Sequence, residues 1–184
     1  MPNEPAAGPL WVFAYGSLMW DPGFAFDHCA PAVLKGYRRA FCVLSKSHRG
    51  TPERPGLVLG LAPGGTCRGM VYRVTAGHEA EVQAYLFERE RRRYEVYRET
   101  MLRVRHAKGA VVAQTYIADP AAADFVADLS EEEIARRIVA AQGERGPNLV
   151  YLERTIGQLK TLGIREPGLE RVYAIALAIQ SNPS

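Results

Sequence analysis

A chain of 184 residues is long enough to bury a substantial core in one domain, and its 47% hydrophobic and 23% charged content is ordinary for a globular protein. A formal net charge of +3 is too mild to argue for nucleic acid, and no apolar run approaches the roughly 20 residues that a membrane helix needs; the longest candidate is Val172 to Ile179. The three cysteines (Cys29, Cys42, Cys67) form no C-x-x-C pair and the four histidines complete no metal-ligand spacing, so free, packing cysteines and no metal or other cofactor are expected. The opening Met1-Pro2-Asn3-Glu4 carries no leader pattern, which makes the cytoplasm the expected location.

In chain order, residues 1–9 are rich in Pro, Ala and Gly and read as a disordered lead-in to a domain over residues 10–181. Trp11-Val12-Phe13-Ala14-Tyr15 is a continuous apolar run, the pattern of a strand buried on both faces, and it breaks at Gly16-Ser17. Val33–Leu44, Leu57–Ala62 and Gly69–Val74 are further strands, with a turn-rich stretch from His48 to Gly56 between the first two. A helix follows over about Ala76–Arg93, then strands at Met101–His106 and Val111–Ile117. The last third is helical. Ser130 and Glu133 make a capping box for a helix ending near Gly143, Asn148 caps a helix that Gly163 stops, and a final short helix carries Leu169, Val172, Ile175, Ala176 and Ile179. Strands followed by helices indicate an α+β domain.

Four features could carry chemistry. Tyr15-Gly16-Ser17-Leu18 leaves the buried strand where a glycine with positive φ could aim successive amides at an anion; an ordinary strand-ending turn is the plainer reading. Glu90 continues the face set by Val82 and Leu86, which directs a carboxylate inward, where burial raises its pKa unless Arg89 or Arg91 pairs with it. Glu88 falls off that face. The basic run Arg89-Glu90-Arg91-Arg92-Arg93 otherwise reads as a solvated helix end. Arg49, in the turn-rich stretch, could make a bidentate bond to a carboxylate, or simply belong to an exposed turn. Tyr151, one position before the apolar stripe of its helix, reads as core, and Tyr116 at the end of a strand is open to either reading.

Taken together, these segments resemble the ChaC-type γ-glutamylcyclotransferases. The resemblance runs in order through Val12–Trp20, Gly36–Phe41, Arg49-Gly50-Thr51, Pro55-Gly56, Gly69–Arg73, Arg89-Glu90 and Asn148–Leu152, and spans about residues 10–180. It implies a γ-glutamylcyclotransferase-like fold: one compact domain, a mixed and partly barrel-like sheet with helices around it. It implies an enzyme that degrades glutathione to 5-oxoproline and cysteinylglycine, with Glu90 as its proton carrier. Tyr15, Gly16, Ser17 and Leu18 would cradle the γ-glutamyl group, with Val12, Phe13 and Ala14 leading in, and Tyr116 would line the pocket. Arg38, Arg39 and Arg49 remain alternatives for the glycine carboxylate.

The sequence departs from the family pattern at Ser47-His48-Arg49-Gly50, where many members have Asp first, and at Tyr85-Leu86-Phe87, where many end in Asp. Both departures bear on which γ-glutamyl peptide is preferred. The expected partner is thus a small peptide, with neither nucleic acid nor membrane. The alternatives are a cyclotransferase for other γ-glutamyl peptides or amines and, from another class, a non-catalytic module that regulates cation transport.

Overall fold

A computed structural model describes residues 8–91 and 94–182. Most of the expected lead-in and the end of the basic run at Arg92-Arg93 lie outside the described residues. Five strands close a barrel in the order β1-β3-β2-β4-β5: β1 (Trp11–Ala14), β2 (Phe26–Ser45), β3 (Gly56–Val74), β4 (Tyr97–His106) and β5 (Gly109–Ala118). All neighbours pair antiparallel except β1 and β5, which run parallel and meet at Val12 and Gln114. Thr115 Oγ1 donates to Phe13 O at 3.0 Å and reinforces that junction. The closing strand is the expected apolar run, with Val12, Phe13 and Ala14 each only 1% exposed.

The two strands expected at Leu57–Ala62 and Gly69–Val74 are one strand of 19 residues. Gly64 and Gly65 take φ of 89° and 79° opposite Gly36 at 89°, where the pairing with β2 shifts between Lys35 and Tyr37. These glycines absorb a bulge that bends both long strands without ending the ladder, so a turn signal in the sequence becomes a corner of the barrel. Similarly β2 begins at Phe26 and β4 at Tyr97, several residues before the alternating patterns that announce them.

The helix expected over Ala76–Arg93 is shorter and changes character. An α-helix, α1 (Glu79–Leu86), buries Val82 and Leu86 and passes directly into a π turn over Phe87–Arg91. Of the remaining helices, α2 (Glu131–Ala140) has its capping box complete: Glu133 N donates to Ser130 Oγ at 3.2 Å, and Ser130 N to Glu133 Oε2 at 2.9 Å. It ends at Ala140, and Gln142–Gly143 (β6) pairs with Gly146–Pro147 (β7) in a small ribbon before α3 (Asn148–Thr161).

Asn148 is not a cap. Its fully buried amide instead reads both polar groups of Leu57, accepting from N at 2.7 Å and donating to O at 2.8 Å, and so stitches the start of α3 to β3. The last helix, α4 (Pro167–Ser181), is longer than expected and packs with α2 and α3 through Leu169, Val172 and Ala176. Cys42 and Cys67 are buried, Cys29 is exposed, and all three are free thiols. Among the described residues no helix is long and apolar enough to cross a membrane.

Candidate active site

Where β1 ends, the chain turns sharply. Gly16 precedes a single 3-10 turn, Ser17–Met19, closed by Met19 N donating to Gly16 O at 2.9 Å and Asp21 N to Ser17 O at 2.9 Å. Gly16 has φ −127°, so the left-handed glycine expected here is absent. The amides of Ser17 and Leu18 open the turn and have no acceptor within it, which leaves them available. The turn is held from behind. Buried Arg39 donates from Nε to Tyr15 O at 2.6 Å and from Nη2 to Arg68 O at 2.5 Å, and pairs with Glu166. Tyr72 Oη donates to Met19 O at 2.7 Å.

The π turn after α1 faces this loop. Arg89 is not a solvated helix end: Nη2 donates to Ser17 Oγ at 2.9 Å, and Nη1 to Asp21 O at 2.9 Å and Tyr85 Oη at 2.5 Å. Its neighbour Glu90 lines the cavity with 18% of its side chain exposed. Burial raises the Glu90 pKa, and the Arg89 guanidinium, with Nε 3.6 Å from Glu90 Oε1, opposes that rise in part. Arg89 pins the loop while its neighbour Glu90 presents its carboxylate to the cavity. Glu88 also reaches the cavity wall but is exposed.

Between loop and helix lies a cavity of about 830 Å³ with an aromatic wall of Phe13, Tyr15, Tyr94, Tyr97, Tyr116 and Tyr151. The phenols are anchored. Tyr97 Oη donates to Leu59 O at 2.6 Å, Tyr116 Oη to Glu99 Oε2 at 3.3 Å, and Tyr94 Oη lies 3.1 Å from Ser45 Oγ and 3.2 Å from His48 Nδ1. Burial raises the pKa of Tyr15, Tyr94, Tyr97, Tyr116 and Tyr151, and the charge of Glu90 pushes each further up. Glu90 therefore faces neutral hydroxyls across much of the cavity.

Arg49 enters from the far side. Its backbone N donates to Ser45 Oγ at 3.1 Å, its Nη1 to Arg145 O at 2.6 Å, and its guanidinium lies 5.3 Å from the centre of the Tyr151 ring. The turn is packed through glycines: a Cβ on Gly50 would overlap Gly56 N, one on Gly56 would overlap Arg49 O, and one on Gly143 would overlap Ser47 O. Of the three arginines considered for a carboxylate, only Arg49 lines the cavity. Arg39 is committed behind the loop, and Arg38 donates to Pro63 O at the bend in β3.

Phe13, Tyr15, Gly16, Ser17, Leu18, Arg49, Glu90 and Tyr116 thus line one cavity, whereas Val12 and Ala14 do not. Successive side chains of a strand point to opposite sides, so β1 sends Phe13 inward to the cavity and its two neighbours into the packing behind it. Sequence reasoning missed Tyr94, Tyr97, Arg145 and Arg154 on the cavity wall, and it read Tyr151 as core. Only Tyr151 had a usable signal, its place in the Asn148–Leu152 segment; the others are brought in by long-range packing. Among the described residues, no three His, Cys, Asp or Glu side chains gather into a cluster that could hold a metal.

The model of the ChaC-like protein family matches residues 10–176. The chain belongs to this family. It is 35% identical to the glutathione-specific γ-glutamylcyclotransferase of Escherichia coli (strain K12), over 90% of this chain and 72% of that protein. Glutathione-specific γ-glutamylcyclotransferase 1 of Danio rerio is 35% identical over 96% of this chain and 94% of its own length. The fold of this family member matches the crystal structure of a yeast γ-glutamylcyclotransferase specific to glutathione with TM-score 0.82 at 22% identity, covering 94% of this chain and all of that one.

Proposed function

We propose that this chain is a γ-glutamylcyclotransferase that cleaves glutathione into 5-oxoproline and cysteinylglycine, with Glu90 as proton carrier. One observation carries the site assignment: Glu90, a part-buried carboxylate beside the exposed Asp21 and Glu88 on the cavity wall, has its pKa raised by burial and lies opposite a loop that opens with unconsumed amides. Relatives at 35% identity named as glutathione-specific γ-glutamylcyclotransferases support the reaction, and they disfavour a non-catalytic regulator.

In the proposed reaction the γ-glutamyl group folds back so that its own α-amine reaches its γ-carbonyl. Glu90 takes a proton from the α-ammonium, and the freed amine attacks the γ-carbon to form the ring C–N bond. The C–N bond to cysteine then breaks: Glu90 returns its proton to the departing nitrogen and then carries the second proton of the ring nitrogen across in the same way, so the ring closes as a neutral lactam and cysteinylglycine leaves with a charged amine. Protons and electrons balance without water or an enzyme nucleophile. Well-oriented ring closures reach effective molarities of roughly 10⁵–10⁸ M, so holding the folded conformer is the larger task. The amides of Ser17 and Leu18 would bind the α-carboxylate or the developing oxyanion. A carboxylate with a raised pKa is suited to both halves of the transfer, because it neither holds its proton too weakly nor too tightly near neutral pH. A reducing compartment, the cytoplasm, suits both the substrate and the three free thiols.

The test is to incubate the protein and its Glu90→Gln variant with reduced glutathione and follow both products by mass spectrometry. Equimolar 5-oxoproline and cysteinylglycine are expected, with kcat lower by about 10²–10⁴ in the variant. Free glutamate in place of 5-oxoproline would mean hydrolysis, and a variant within a few-fold of wild type would remove Glu90 from the chemistry.

A further inference from the structure

The end of the cavity away from Arg89 holds three arginines, Arg49, Arg145 and Arg154. Each is placed by a different element. Arg49 sits on the glycine-packed turn. Arg145 belongs to the β6–β7 ribbon, which is tied to that turn by Glu144 N donating to Ser47 O at 2.9 Å and Arg145 N to His48 O at 3.0 Å. Arg154 follows Tyr151 by three residues on α3, which puts the two on one helix face.

Three like charges in one place repel, and the cost registers on the innermost: burial first, and then the fields of Arg154 and Arg145, lower the Arg49 pKa. Elsewhere the two most enclosed of the paired arginines meet acids: Arg39 with Glu166, and Arg89 with Glu90 and Asp21. No acidic side chain among the described residues pairs with any of these three. The groups that act on Arg49 in the opposite direction are the phenols of Tyr151 and Tyr94, both held neutral by burial. An uncompensated cationic cluster on a cavity wall is poised for an anion from the ligand. A guanidinium fork, already oriented by stacking on Tyr151, suits a carboxylate.

We propose that Arg49, Arg145 and Arg154 form a subsite for the C-terminal carboxylate of the leaving peptide, so that the enzyme selects γ-glutamyl peptides with a free C-terminus. The inference rests on the reaction proposed above and adds its specificity. Glu90 feels Arg89 and not this cluster, so the two cationic regions divide the substrate between them. The γ-glutamyl head lies against Ser17 and Glu90, and the far end of the peptide against the three arginines. A leaving group of two residues spans about 7 Å from the scissile carbon, whereas a γ-glutamyl-amine has nothing to offer the cluster.

The test separates binding from turnover. Calorimetry on the Glu90→Gln protein compares glutathione with the same tripeptide ending in a glycinamide, alone and combined with Arg145→Ala, Arg154→Ala or, as a net-charge control, Arg136→Ala on the exposed face of α2. Arg145 and Arg154 are exposed, so their loss does not threaten the fold. The free acid is expected to bind roughly ten- to a hundredfold more tightly than the amide. Arg145→Ala and Arg154→Ala should each shrink that ratio, and Arg136→Ala should not. A ratio near one, binding of neither peptide, or a preference untouched by Arg145→Ala and Arg154→Ala would overturn the subsite. Preferential binding of the acid by the Glu90→Gln protein, with no turnover of either peptide by the wild-type protein, would uphold the subsite and overturn the proposed reaction.

Discussion

Replacing Arg89 tests whether the loop and the carboxylate work as one unit. Arg89→Met keeps the stem and removes a guanidinium that donates three hydrogen bonds of 2.5–2.9 Å and stands 3.6 Å from Glu90. Bonds to a charged group are worth about 1.5–3 kcal/mol each when buried, but this side chain is 21% exposed and water would replace part of the loss. A total of about 2–3 kcal/mol follows, and for a chain of this size the melting temperature should fall by roughly 5–10 °C. The second effect has a definite sign. The cation favours the charged form of Glu90, so its removal raises the Glu90 pKa further. Because the proposed base, Glu90, must be ionised to accept a proton, the acid limb of kcat/KM against pH should move to higher pH. The assay is glutathione turnover over about pH 5 to 9 for wild type, Arg89→Met and Arg89→Lys, with Lys restoring part of the shift. The substrate ammonium is common to all three, so its titration cancels. Acid limbs that coincide in wild type and Arg89→Met would refute the reasoning.

Burial raises the Glu90 pKa in the folded state, so the stability tied to this group is full below the ordinary carboxylate pKa and is lost as pH rises through the folded value. Glu90→Gln should therefore melt higher than wild type at neutral and alkaline pH, with the gap closing in acid; differential scanning calorimetry at several pH values checks it. Asn148→Ala leaves both buried polar groups of Leu57 without a partner, at about 1–3 kcal/mol each, and thermal melts should show a drop of roughly 5–15 °C. Gly16 is in ordinary φ space and nothing lies within 4 Å of a Cβ placed there, so Gly16→Ala should melt within about 2 °C of wild type. If substrate passes close over this backbone, kcat/KM of the same variant should nevertheless fall about tenfold or more in the glutathione assay.

What was legible in the sequence is what depends on short-range rules. The buried strand through Val12–Ala14 and the Ser130–Glu133 capping box are local patterns with local causes, and the fold realises both. Glu90 reached the cavity although the helix carrying it is not the one expected, because a π turn was invisible to a four-residue period. Gly64-Gly65 broke the strand reading for the opposite reason: the same residues that end a strand in isolation bend one when a partner strand bulges alongside. Asn148 looked like a cap because capping is the local use of asparagine, and only the fold supplies the Leu57 backbone as a competing partner. Tyr94, Tyr97 and Arg145 were out of reach, since nothing near them in the chain says which distant loop each will face. Arg89 was misjudged by the same limit. A run of arginines at a helix end ordinarily meets water, and here Ser17, some seventy positions earlier, meets it first.

The adjacency of Arg89 and Glu90 then has a physical reason beyond pairing. Burial alone pushes a carboxylate towards its neutral form, in which it cannot accept the substrate proton. A direct, close ion pair would push it the other way and make it too weak a base. A guanidinium 3.6 Å away, mostly committed to Ser17, Asp21 and Tyr85, supplies an intermediate correction that cannot tighten into a full pair without breaking those bonds. The same bonds fix the distance between the carboxylate and the Ser17–Met19 turn, while Arg39 and Tyr72 hold that turn from the other side. In the proposed reaction the substrate ammonium arrives as a second cation beside Glu90 and favours its charged form when a base is needed. Once the ammonium has given up its proton that field disappears, and burial favours the protonated carboxyl that the departing amine requires. The rigid frame keeps the position of the acid constant, and the substrate itself changes its basicity between the two halves of the reaction.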